Sequence, residues 1–296
     1  MAIEIRQINP HFVAEIGGID LDEHVDRPTV DAIWEAIDRY AVLVFRDQRL
    51  DDTQLRDFAA KFGPLEIGRA AARGGRRRLA HPEIGDISNL DEDGQLRERD
   101  DRRRLDSLGN RLWHTDASYM PVPVVLGMLH AVAVPPASAF GDGATEFADM
   151  RAAYDALDDE TRAECENLIC EHSQLFSRAV LGFADFTEEE RRKFAPVRQR
   201  LVRRHPVTGR KSLFLASHAG AILGWPVPEA RAFLRDLTEH ATQRRFVYAH
   251  VWRQWDLVMW DNRVTMHRAR PFNNAEVRDM HRTTVACESS TMEQAA

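Results

Sequence analysis

Cysteine is scarce in this sequence, which has three cysteines among 296 residues and no CxxC pair. Cys165, Cys170 and Cys287 therefore suggest neither the disulfide framework of a small secreted protein nor the paired ligands of a zinc ribbon. We expect buried or idle thiols at these positions, because free cysteine prefers protein interiors.

Long apolar runs and an excess of basic residues are also missing. No stretch approaches the roughly 18 consecutive apolar residues that span a membrane, and MAIEIRQINP lacks the charged and apolar parts of a signal peptide. We therefore expect no membrane segment and a cytoplasmic location. The 40 basic and 47 acidic residues give a net charge of −7, which disfavours nucleic acid as a general partner.

The chain does have the material for a large folded core. Hydrophobic residues make up 44% of the sequence and charged residues 29%, a balance typical of globular proteins. Internal repeats and low-complexity linkers are absent from the sequence. We therefore expect one domain over residues 1–296, in which strands form the core and helices are inserted around it.

Local patterns predict the elements of this core. Amphipathic spacing and capping residues predict helices in PTVDAIWEAIDRY, DDTQLRDFAAKFG, VPEARAFLRDLTEHATQ and, with a break at Asp158-Asp159, DMRAAYDALDDETRAECENLICEHS. A hairpin turning at Thr208-Gly209 is predicted in RLVRRHPVTGRKSLFLA. Strands are predicted in IEIRQINPHFVAEIGGIDL, AVLVFRD, FVYAHVW, DLVMWDN and RTTVAC.

Residues 66–112 interrupt this pattern with a polar, charged stretch that has little periodicity. A solvated surface loop is one interpretation of the stretch. Loops of this length are also often mobile lids or binding loops, so a role in covering a site stays equally open.

The segment LWHTDASYM raises the question of a metal site, because His114 and Asp116 are one residue apart. In a β-strand, residues i and i+2 point to the same side, so the two side chains can reach one ion. Two histidines and one carboxylate on one face of an octahedron leave positions open for O₂ or substrate and suit Fe(II).

This spacing alone is weak evidence, since His24 and Asp26 repeat it and His81 and Glu83 form a similar pair. Asp26 lies just before a predicted helix, where aspartate is a preferred cap. His81 is followed by proline within the charged stretch, which favours a surface loop.

Downstream residues strengthen the LWHTDASYM site. His267 follows an apolar strand, and Arg278 and Arg282 come after it. Arginine binds carboxylates through two parallel hydrogen bonds, so a third metal ligand followed by arginines indicates a cation site that takes anions beside it.

Four motifs in the same order resemble a known family: WHTDASY, GATEFADMRAAYDAL, MWDNRVTMHRARP and RDMHRTT. The likeness also includes FVAEIGGIDL, VLVFRDQ and FGPLE, and so covers nearly the whole chain. The sequence resembles the taurine/2,4-dichlorophenoxyacetate group of Fe(II)- and 2-oxoglutarate-dependent dioxygenases, and within it the 2,4-dichlorophenoxyacetate (2,4-D) dioxygenases. The resemblance implies a mainly β fold with helical insertions, a double-stranded β-helix or jelly roll.

The resemblance also implies roles for individual residues. His114, Asp116 and His267 would be the iron ligands. The resemblance further implies that Thr145 and Arg278 bind the distal carboxylate of 2-oxoglutarate and that Arg282 lies near the anionic group of the substrate. An anionic substrate would also suit the basic group of Arg78, with His218 as either a hydrogen-bonding partner or a structural residue.

Two stretches depart from the family pattern. The stretch PPASAFGDGATEF around Thr145 is longer than in relatives. Relatives that cleave 2,4-D present lysines from the stretch after FGPLE, where this chain has arginines at 73, 76, 77 and 78. The substrate pocket can therefore differ from theirs.

The function implied by the resemblance is hydroxylation of a small anionic aryloxyalkanoate, such as 2,4-D, next to its ether oxygen. Fe(II), 2-oxoglutarate and O₂ would be needed, and the products would be a phenol, glyoxylate, succinate and CO₂. The family also implies a homo-oligomer of two or four chains.

Other interpretations remain open. One is a dioxygenase of the same family that acts on taurine or another sulfonate or alkyl sulfate. Another is a metal-binding jelly-roll sensor without catalytic activity. A zinc hydrolase fits poorly, because the sequence has no HExxH motif.

Overall fold

The structure is a computed structural model that describes residues 3–68, 76–287 and 289–294. Its strands, numbered in chain order, are β1 (Glu4–Asn9), β2 (Val13–Gly17), β3 (Val42–Phe45), β4 (Gly85–Asp86), β5 (Val124–Ala133), β6 (Thr145–Asp149), β7 (Ile169–His172), β8 (Val197–Arg200), β9 (Val202–Arg204), β10 (Lys211–Leu213), β11 (Ala219–Ile222), β12 (Val247–His250), β13 (Leu257–Asp261), β14 (Thr265–Ala269) and β15 (Asp279–Ala286).

The helices lie between these strands, mostly in the first half and in the long connection after β6. They are α1 (Arg27–Tyr40), α2 (Asp52–Ala60), α3 (Arg102–Ser107), α4 (Met150–Asp155), α5 (Asp159–Cys165), α6 (Gln174–Val180), α7 (Glu188–Lys193) and α8 (Val227–Ala241). No helix in the described ranges is both long and apolar enough to cross a membrane.

Two sheets form the core. The larger has the strand order β1-β2-β3-β13-β5-β15-β4, and the smaller has the order β12-β6-β14. Pairing is antiparallel in both, except that β2 and β3 run parallel. This two-sheet core with helices inserted between its strands confirms the predicted jelly roll.

Side chains along the strands of the larger sheet alternate between its two faces, and each face packs against a different cluster. In β3, Leu43 and Phe45 pack with residues of α1 and α2, whereas Val42 and Val44 belong to the cluster that contains Phe147 of the smaller sheet. Successive residues of a strand point to opposite faces, so a run of four buried residues supplies both layers.

The predicted helix starts and hairpin turn are confirmed at positions that capping and turn residues mark in the sequence. Asp26 caps α1, Asp158 caps α5, and Gly209 has a positive φ of 69° in the β9–β10 hairpin. Asp26 therefore has the capping role expected from the sequence, because its side chain accepts a hydrogen bond from the backbone of Thr29.

Two local predictions are wrong. The segment ICEH forms β7 instead of ending the second predicted helix, because it pairs with β8 and β11 through long-range hydrogen bonds. His267 does not simply follow an apolar strand, because it lies within β14, which pairs with β6.

Candidate functional site

His114, Asp116 and His267 come together in the folded chain. The ligand atoms that they offer, one per residue, all lie within 4.8 Å of one another, and all three residues are buried. His114 and His267 form an isolated backbone bridge through N–H to carbonyl hydrogen bonds of 3.0 and 2.8 Å. Their Nε2 atoms are 3.9 and 3.7 Å from the carboxylate oxygens of Asp116.

The strand argument for His114 and Asp116 is wrong, although the two side chains do converge. Only His114 forms a bridge, and the chain turns directly after it, with Ala117 at a φ of 53°. Thr115 holds this turn in place, because its hydroxyl lies within hydrogen-bond distance of the carbonyls of Leu215 and Thr265.

Asn262 positions Asp116 and was not identified from the sequence. Its Oδ1 accepts hydrogen bonds from the backbone N–H of Asp116 at 3.2 Å and from Nε1 of Trp260 at 3.1 Å. Asn262 lies within the MWDNRVTMHRARP motif, but nothing in that motif alone assigns a role to this amide.

The ring of His114 has a defined tautomer. Its Nδ1 is 2.7 Å from the carbonyl oxygen of Leu112. A carbonyl can only accept, so Nδ1 carries the proton and the lone pair of Nε2 faces Asp116. A backbone carbonyl behind a histidine is the arrangement that orients histidine ligands toward metals.

Burial and charge set the protonation states of the three side chains. Burial lowers the pKa of His267 to about 3 and also lowers the pKa of His114. Burial alone would raise the pKa of Asp116, but the opposing interactions, led by the charge of Arg282, outweigh it and lower that pKa. The site therefore offers two neutral imidazoles and one carboxylate at neutral pH.

This donor set fits a divalent cation. Metal ligands must be deprotonated, as these three side chains are. Oδ2 of Asp116 is buried and has no hydrogen-bond partner among the described residues. A buried carboxylate oxygen without a partner is costly, so a cation between the three side chains would satisfy it.

One cavity of about 430 Å³ opens onto this group. Seven of the eight site residues predicted from the sequence line it: His114, Asp116, Thr145, His218, His267, Arg278 and Arg282. Residues from the polar stretch 66–112 also contribute to its wall, among them Ile87, Asn89 and Arg111. Residue 73 of that stretch lies outside the described residues.

Arg278 is buried in the cavity wall with only 6% of its surface exposed. Burial lowers the pKa of its guanidinium to about 10. Its contacts are the carbonyl of Ile87 at 3.4 Å and the ring of Phe272 at 5.5 Å, and no carboxylate pairs with it in the part of the chain that the structure describes. Gly143 next to it has a φ of 66°, a backbone conformation that favours glycine.

Thr145 lies in the same cavity at the start of β6. Its Oγ1 accepts a hydrogen bond from Nε1 of Trp252 at 3.0 Å. The hydroxyl proton of Thr145 is therefore free to donate to an acceptor in the cavity. A buried cation without a counterion and a free hydroxyl donor together suit the binding of an anion.

Arg282 and His218 also line the cavity. Nη1 of Arg282 donates to Oδ1 of Asp116 at 2.9 Å, so this arginine neutralises the carboxylate of the candidate metal group. Nδ1 of His218 is 3.0 Å from the hydroxyl of Ser177, and its ring meets the edge of Tyr119 at a centroid distance of 4.9 Å.

Arg78 is the one predicted site residue that the structure does not place in the cavity wall. Its guanidinium forms paired hydrogen bonds with Asp86 and with Asp279, at distances from 2.5 to 3.1 Å. These bonds tie the polar stretch to β15. The Arg78 N–H groups that face Asp86 and Asp279 are therefore already hydrogen-bonded. A role for Arg78 in substrate binding stays a prediction.

Comparison with known proteins identifies relatives along the whole chain. The family described as "Taurine catabolism dioxygenase TauD, TfdA family" matches residues 4–284. The alpha-ketoglutarate-dependent 2,4-dichlorophenoxyacetate dioxygenase of Cupriavidus pinatubonensis is 43% identical, over 96% of this chain and 98% of that protein. The (S)-phenoxypropionate/alpha-ketoglutarate-dioxygenase of Sphingobium herbicidovorans is 37% identical, over 96% and 95%.

Solved structures agree with these matches. The crystal structure of AAD-2 in complex with Mn(II) and N-oxalylglycine superimposes with a TM-score of 0.90 and 50% sequence identity, covering 99% of this chain and 100% of that one.

Proposed function

The chain belongs to the taurine catabolism dioxygenase TauD, TfdA family, and we propose that it hydroxylates an aryloxyalkanoate such as 2,4-D at the carbon next to the ether oxygen. Members of this family that resemble the chain are Fe(II)- and 2-oxoglutarate-dependent dioxygenases, and this chain is an enzyme of that kind. One observation carries the proposal: a buried arginine without a counterion shares a cavity with a buried His-Asp-His group.

In this proposal His114, Asp116 and His267 hold the iron. Fe(II), with 2-oxoglutarate and O₂, would supply the oxidation and leave succinate and CO₂ as co-products. The protein contributes placement and charge. Arg282 stabilises the anionic form of Asp116, and the carbonyl of Leu112 keeps the Nε2 lone pair of His114 directed at the metal position.

Arg278 and Thr145 bind the distal carboxylate of 2-oxoglutarate. Arg278 supplies the positive charge, and Thr145 supplies a hydroxyl whose acceptor lone pair is already used by Trp252. A charge-assisted pair in a buried site is strong enough to fix the orientation of the cosubstrate.

The organic substrate occupies the rest of the cavity. Leu108, Leu129 and Tyr119 provide apolar surface for an aromatic ring, and Arg282 and His218 are the predicted polar contacts. Hydroxylation next to the ether oxygen gives a hemiacetal, which breaks down to a phenol and glyoxylate. The names of relatives from two organisms, both acting on aryloxyalkanoates, support this substrate class.

A substrate screen tests the proposal. Purified enzyme with Fe(II), 2-oxoglutarate and O₂ is mixed with aryloxyacetates, aryloxypropionates, cinnamate-like acids, taurine and alkyl sulfates, and succinate, phenol and sulfite or sulfate are measured. We expect phenol and succinate in equal amounts with an aryloxyalkanoate. Sulfite from taurine or sulfate from an alkyl sulfate, without phenol from any ether, would contradict the proposal and favour the sulfur-containing substrates.

The cytoplasmic location and the assembly into dimers or tetramers are also part of the proposal. They follow from the sequence and from the family, and size-exclusion chromatography with light scattering tests the second.

A further inference from the structure

Arg278 is the last residue of the β14–β15 connection, which covers residues 270–278. Backbone in a connection has fewer hydrogen bonds to fix it than backbone within a sheet. The position of Arg278, and with it the position of its guanidinium in the cavity, therefore depends on what holds this connection.

The two halves of the β14–β15 connection are held differently. In the first half, the N–H of Arg270 donates to the carbonyl of Ala144 at 2.8 Å, and the carbonyl of Pro271 accepts from the N–H of Gly143 at 3.0 Å. In the second half, residues 275–277 are exposed to solvent. The contacts that hold the second half therefore come from its inner side, where Asn89 lies.

Asn89 reaches the second half as a continuation of β4. This strand pairs with β15 in antiparallel register. The pairing continues past the end of β4, because the N–H of Ile87 donates to the carbonyl of Met280 at 2.9 Å and the N–H of Asn89 donates to the carbonyl of Arg278 at 3.2 Å. Asn89 therefore lies directly opposite Arg278 at the edge of the larger sheet.

The side chain of Asn89 makes three hydrogen bonds to the β14–β15 connection. Its Oδ1 accepts from the backbone N–H of Arg278 at 2.9 Å. Its Nδ2 donates to the carbonyls of Glu276 at 2.8 Å and Asn274 at 3.3 Å. A backbone N–H can only donate and a carbonyl can only accept, so these partners fix the orientation of the amide. One side chain thus ties down three backbone groups within residues 274–278.

These hydrogen bonds are shielded from water. Asn89 has 8% of its surface exposed, and it lines the cavity together with Arg278. A hydrogen bond in such surroundings is stronger than one in water, and the loss of one partner leaves the other group unpaired. Removal of the amide would therefore release the second half of the connection.

The guanidinium of Arg278 depends on the same two segments. Its Nη1 donates to the carbonyl of Ile87 at 3.4 Å, and its central carbon lies 5.5 Å from the centroid of the Phe272 ring. Ile87 belongs to the segment that carries Asn89, and Phe272 belongs to the connection that Asn89 binds. A guanidinium that binds a carboxylate through parallel hydrogen bonds needs a fixed orientation, and a displacement of about 1 Å can cost about 100-fold.

We propose that Asn89 is a positioning residue for the cosubstrate, which holds the β14–β15 connection so that Arg278 meets the distal carboxylate of 2-oxoglutarate. The inference rests on the proposed function, because Asn89 acts through the role given there to Arg278. The amide of Asn89 uses its hydrogen bonds on the backbone, so its contribution to cosubstrate binding is indirect.

Anaerobic titration of the Fe(II) enzyme with 2-oxoglutarate tests the inference, with the visible absorption band of the complex as the signal. We expect Asn89→Ala to weaken 2-oxoglutarate binding by about tenfold, as for the net loss of one or two buried hydrogen bonds. The affinity for Fe(II) and the kcat at saturating 2-oxoglutarate should stay within about twofold of the wild type, because the metal ligands are unchanged.

Asn89→Asp separates hydrogen bonding from packing, because it keeps the volume of the side chain. The substitution retains an acceptor for the N–H of Arg278 but turns a carboxylate oxygen toward the carbonyls of Asn274 and Glu276. We expect 2-oxoglutarate binding to weaken at least as much as in Asn89→Ala. Should Asn89→Ala not fold, Asn89→Asp gives the same comparison.

Ser88→Ala is the matched control. The hydroxyl of Ser88 bonds with Asp86 at 2.5 Å and with the N–H of Leu90 at 3.2 Å, and so serves its own segment. This variant should bind 2-oxoglutarate as tightly as the wild type.

A double-mutant cycle with Arg278→Met tests whether Asn89 acts through this arginine. A positioning residue has no effect once the group that it positions is gone. We therefore expect Asn89→Ala to weaken 2-oxoglutarate binding by no more than about twofold in the Arg278→Met background, against about tenfold in the wild type.

The outcomes separate this inference from the proposed function. If Arg278→Met weakens 2-oxoglutarate binding and the Asn89 variants do not, the inference is overturned while the proposed function stands. A lower unfolding free energy with unchanged 2-oxoglutarate affinity would show a structural role alone and overturns it as well. Equal effects of Asn89→Ala in both backgrounds would show that it acts independently of Arg278, with the same consequence. If Arg278→Met leaves 2-oxoglutarate binding unchanged, the proposed role of Arg278 fails and this inference fails with it.

Discussion

Two groups of histidine and carboxylate side chains in the described part of the chain are close enough to hold a metal ion. One is His114, Asp116 and His267, and the other is Asp38, His205 and Asp261. In the second group, Arg263 pairs with Asp261 at 2.7 Å and with Asp38 at 3.1 Å. No arginine is placed in this way between the side chains of the first group, where Arg282 contacts Asp116 only through Oδ1.

His205 of the second group and His114 of the first also differ in their tautomers. Nδ1 of His205 accepts hydrogen bonds from two backbone N–H groups in the turn that follows it. The proton of His205 therefore lies on Nε2 and points at Asp38 and Asp261, at 3.4 and 3.2 Å. In His114 the proton lies on Nδ1, and the lone pair faces the carboxylate.

The comparison shows that partners decide the role of such a group more than residue types do. In the Asp261 group, each carboxylate already has a cation or a hydrogen-bond donor of the protein as its partner. The Asp116 group leaves Oδ2 of Asp116 without a hydrogen-bond partner among the described residues, so it has capacity for an ion.

The largest expected effect is that of Asp116→Ala. We expect the rate of succinate formation to fall by at least about three orders of magnitude, because the metal supplies the chemistry. Asp38→Ala, in the other group, should keep most of the activity. Equal losses in the two variants would break the comparison.

Arg263→Met is expected to destabilise the protein by about 3–5 kcal/mol, because it leaves Asp261 buried with a lost charge partner. The charge of Arg263 and the hydrogen bond from His205 hold the pKa of Asp261 below its usual range against burial, which raises it. Denaturant unfolding measures the change. Iron binding by the folded variant should be unchanged, and a loss of iron from it would contradict the account.

Arg278→Met should raise the KM for 2-oxoglutarate by about 100-fold, as expected for the loss of a charge-assisted hydrogen bond in a buried site, about 2–3 kcal/mol. Stability without ligand should not fall, because the substitution removes a buried cation that has no counterion. Arg278→Lys is the matched variant, with an intermediate KM. An unchanged KM with lower stability would indicate a structural role instead.

His281 offers an intermediate case, since it lies between two carboxylates but is held as a cation. An ion pair with Asp279 at 3.2 Å and a hydrogen bond with Asp52 at 2.5 Å outweigh burial and raise its pKa from 6.5 to about 9. The folded pKa is above the unfolded one, so this stabilisation is complete below pH 6.5 and is lost as the pH rises toward 9.

We therefore expect wild type to exceed His281→Gln in unfolding free energy by about 2 kcal/mol at pH 6 and by little above pH 9. Denaturant titrations across this range measure the difference. A difference that does not change with pH would show that His281 acts through packing alone. Arg78 and His130 also lie near His281 and interact with the same carboxylate cluster. The same titrations are therefore made with Arg78→Lys, which keeps the positive charge.

Asp26→Ala gives the smallest expected effect. The helix cap is worth about 1 kcal/mol, and removal of this HxD pair from the surface should change neither iron content nor activity. Any loss of iron in this variant would mean that the histidine–aspartate spacing matters beyond the cavity.

Local signals predicted much of the fold. Caps such as Asp26 and Asp158 and the turn glycine Gly209 act on their immediate neighbours, so the sequence is sufficient to identify them. The segment ICEH has the local pattern of a helix, because its pairing with distant strands leaves no local signal.

The candidate site was predicted for two different reasons. The HxD spacing and the family resemblance led to His114, Asp116 and His267, although a turn and not a strand brings the first two together. Contacts between residues far apart in sequence were missed. Asn262 behind Asp116 is one of them, and the pairing of Arg78 with Asp279 is another.

Anaerobic Fe(II) titration of three proteins tests the central claim most directly. We expect one Fe(II) per chain in the wild type and in His205→Ala, with the visible band that 2-oxoglutarate gives on iron, and neither tight binding nor the band in His114→Ala. If His205→Ala lost the iron while His114→Ala kept it, the metal would bind in the group of His205 and the account would be contradicted.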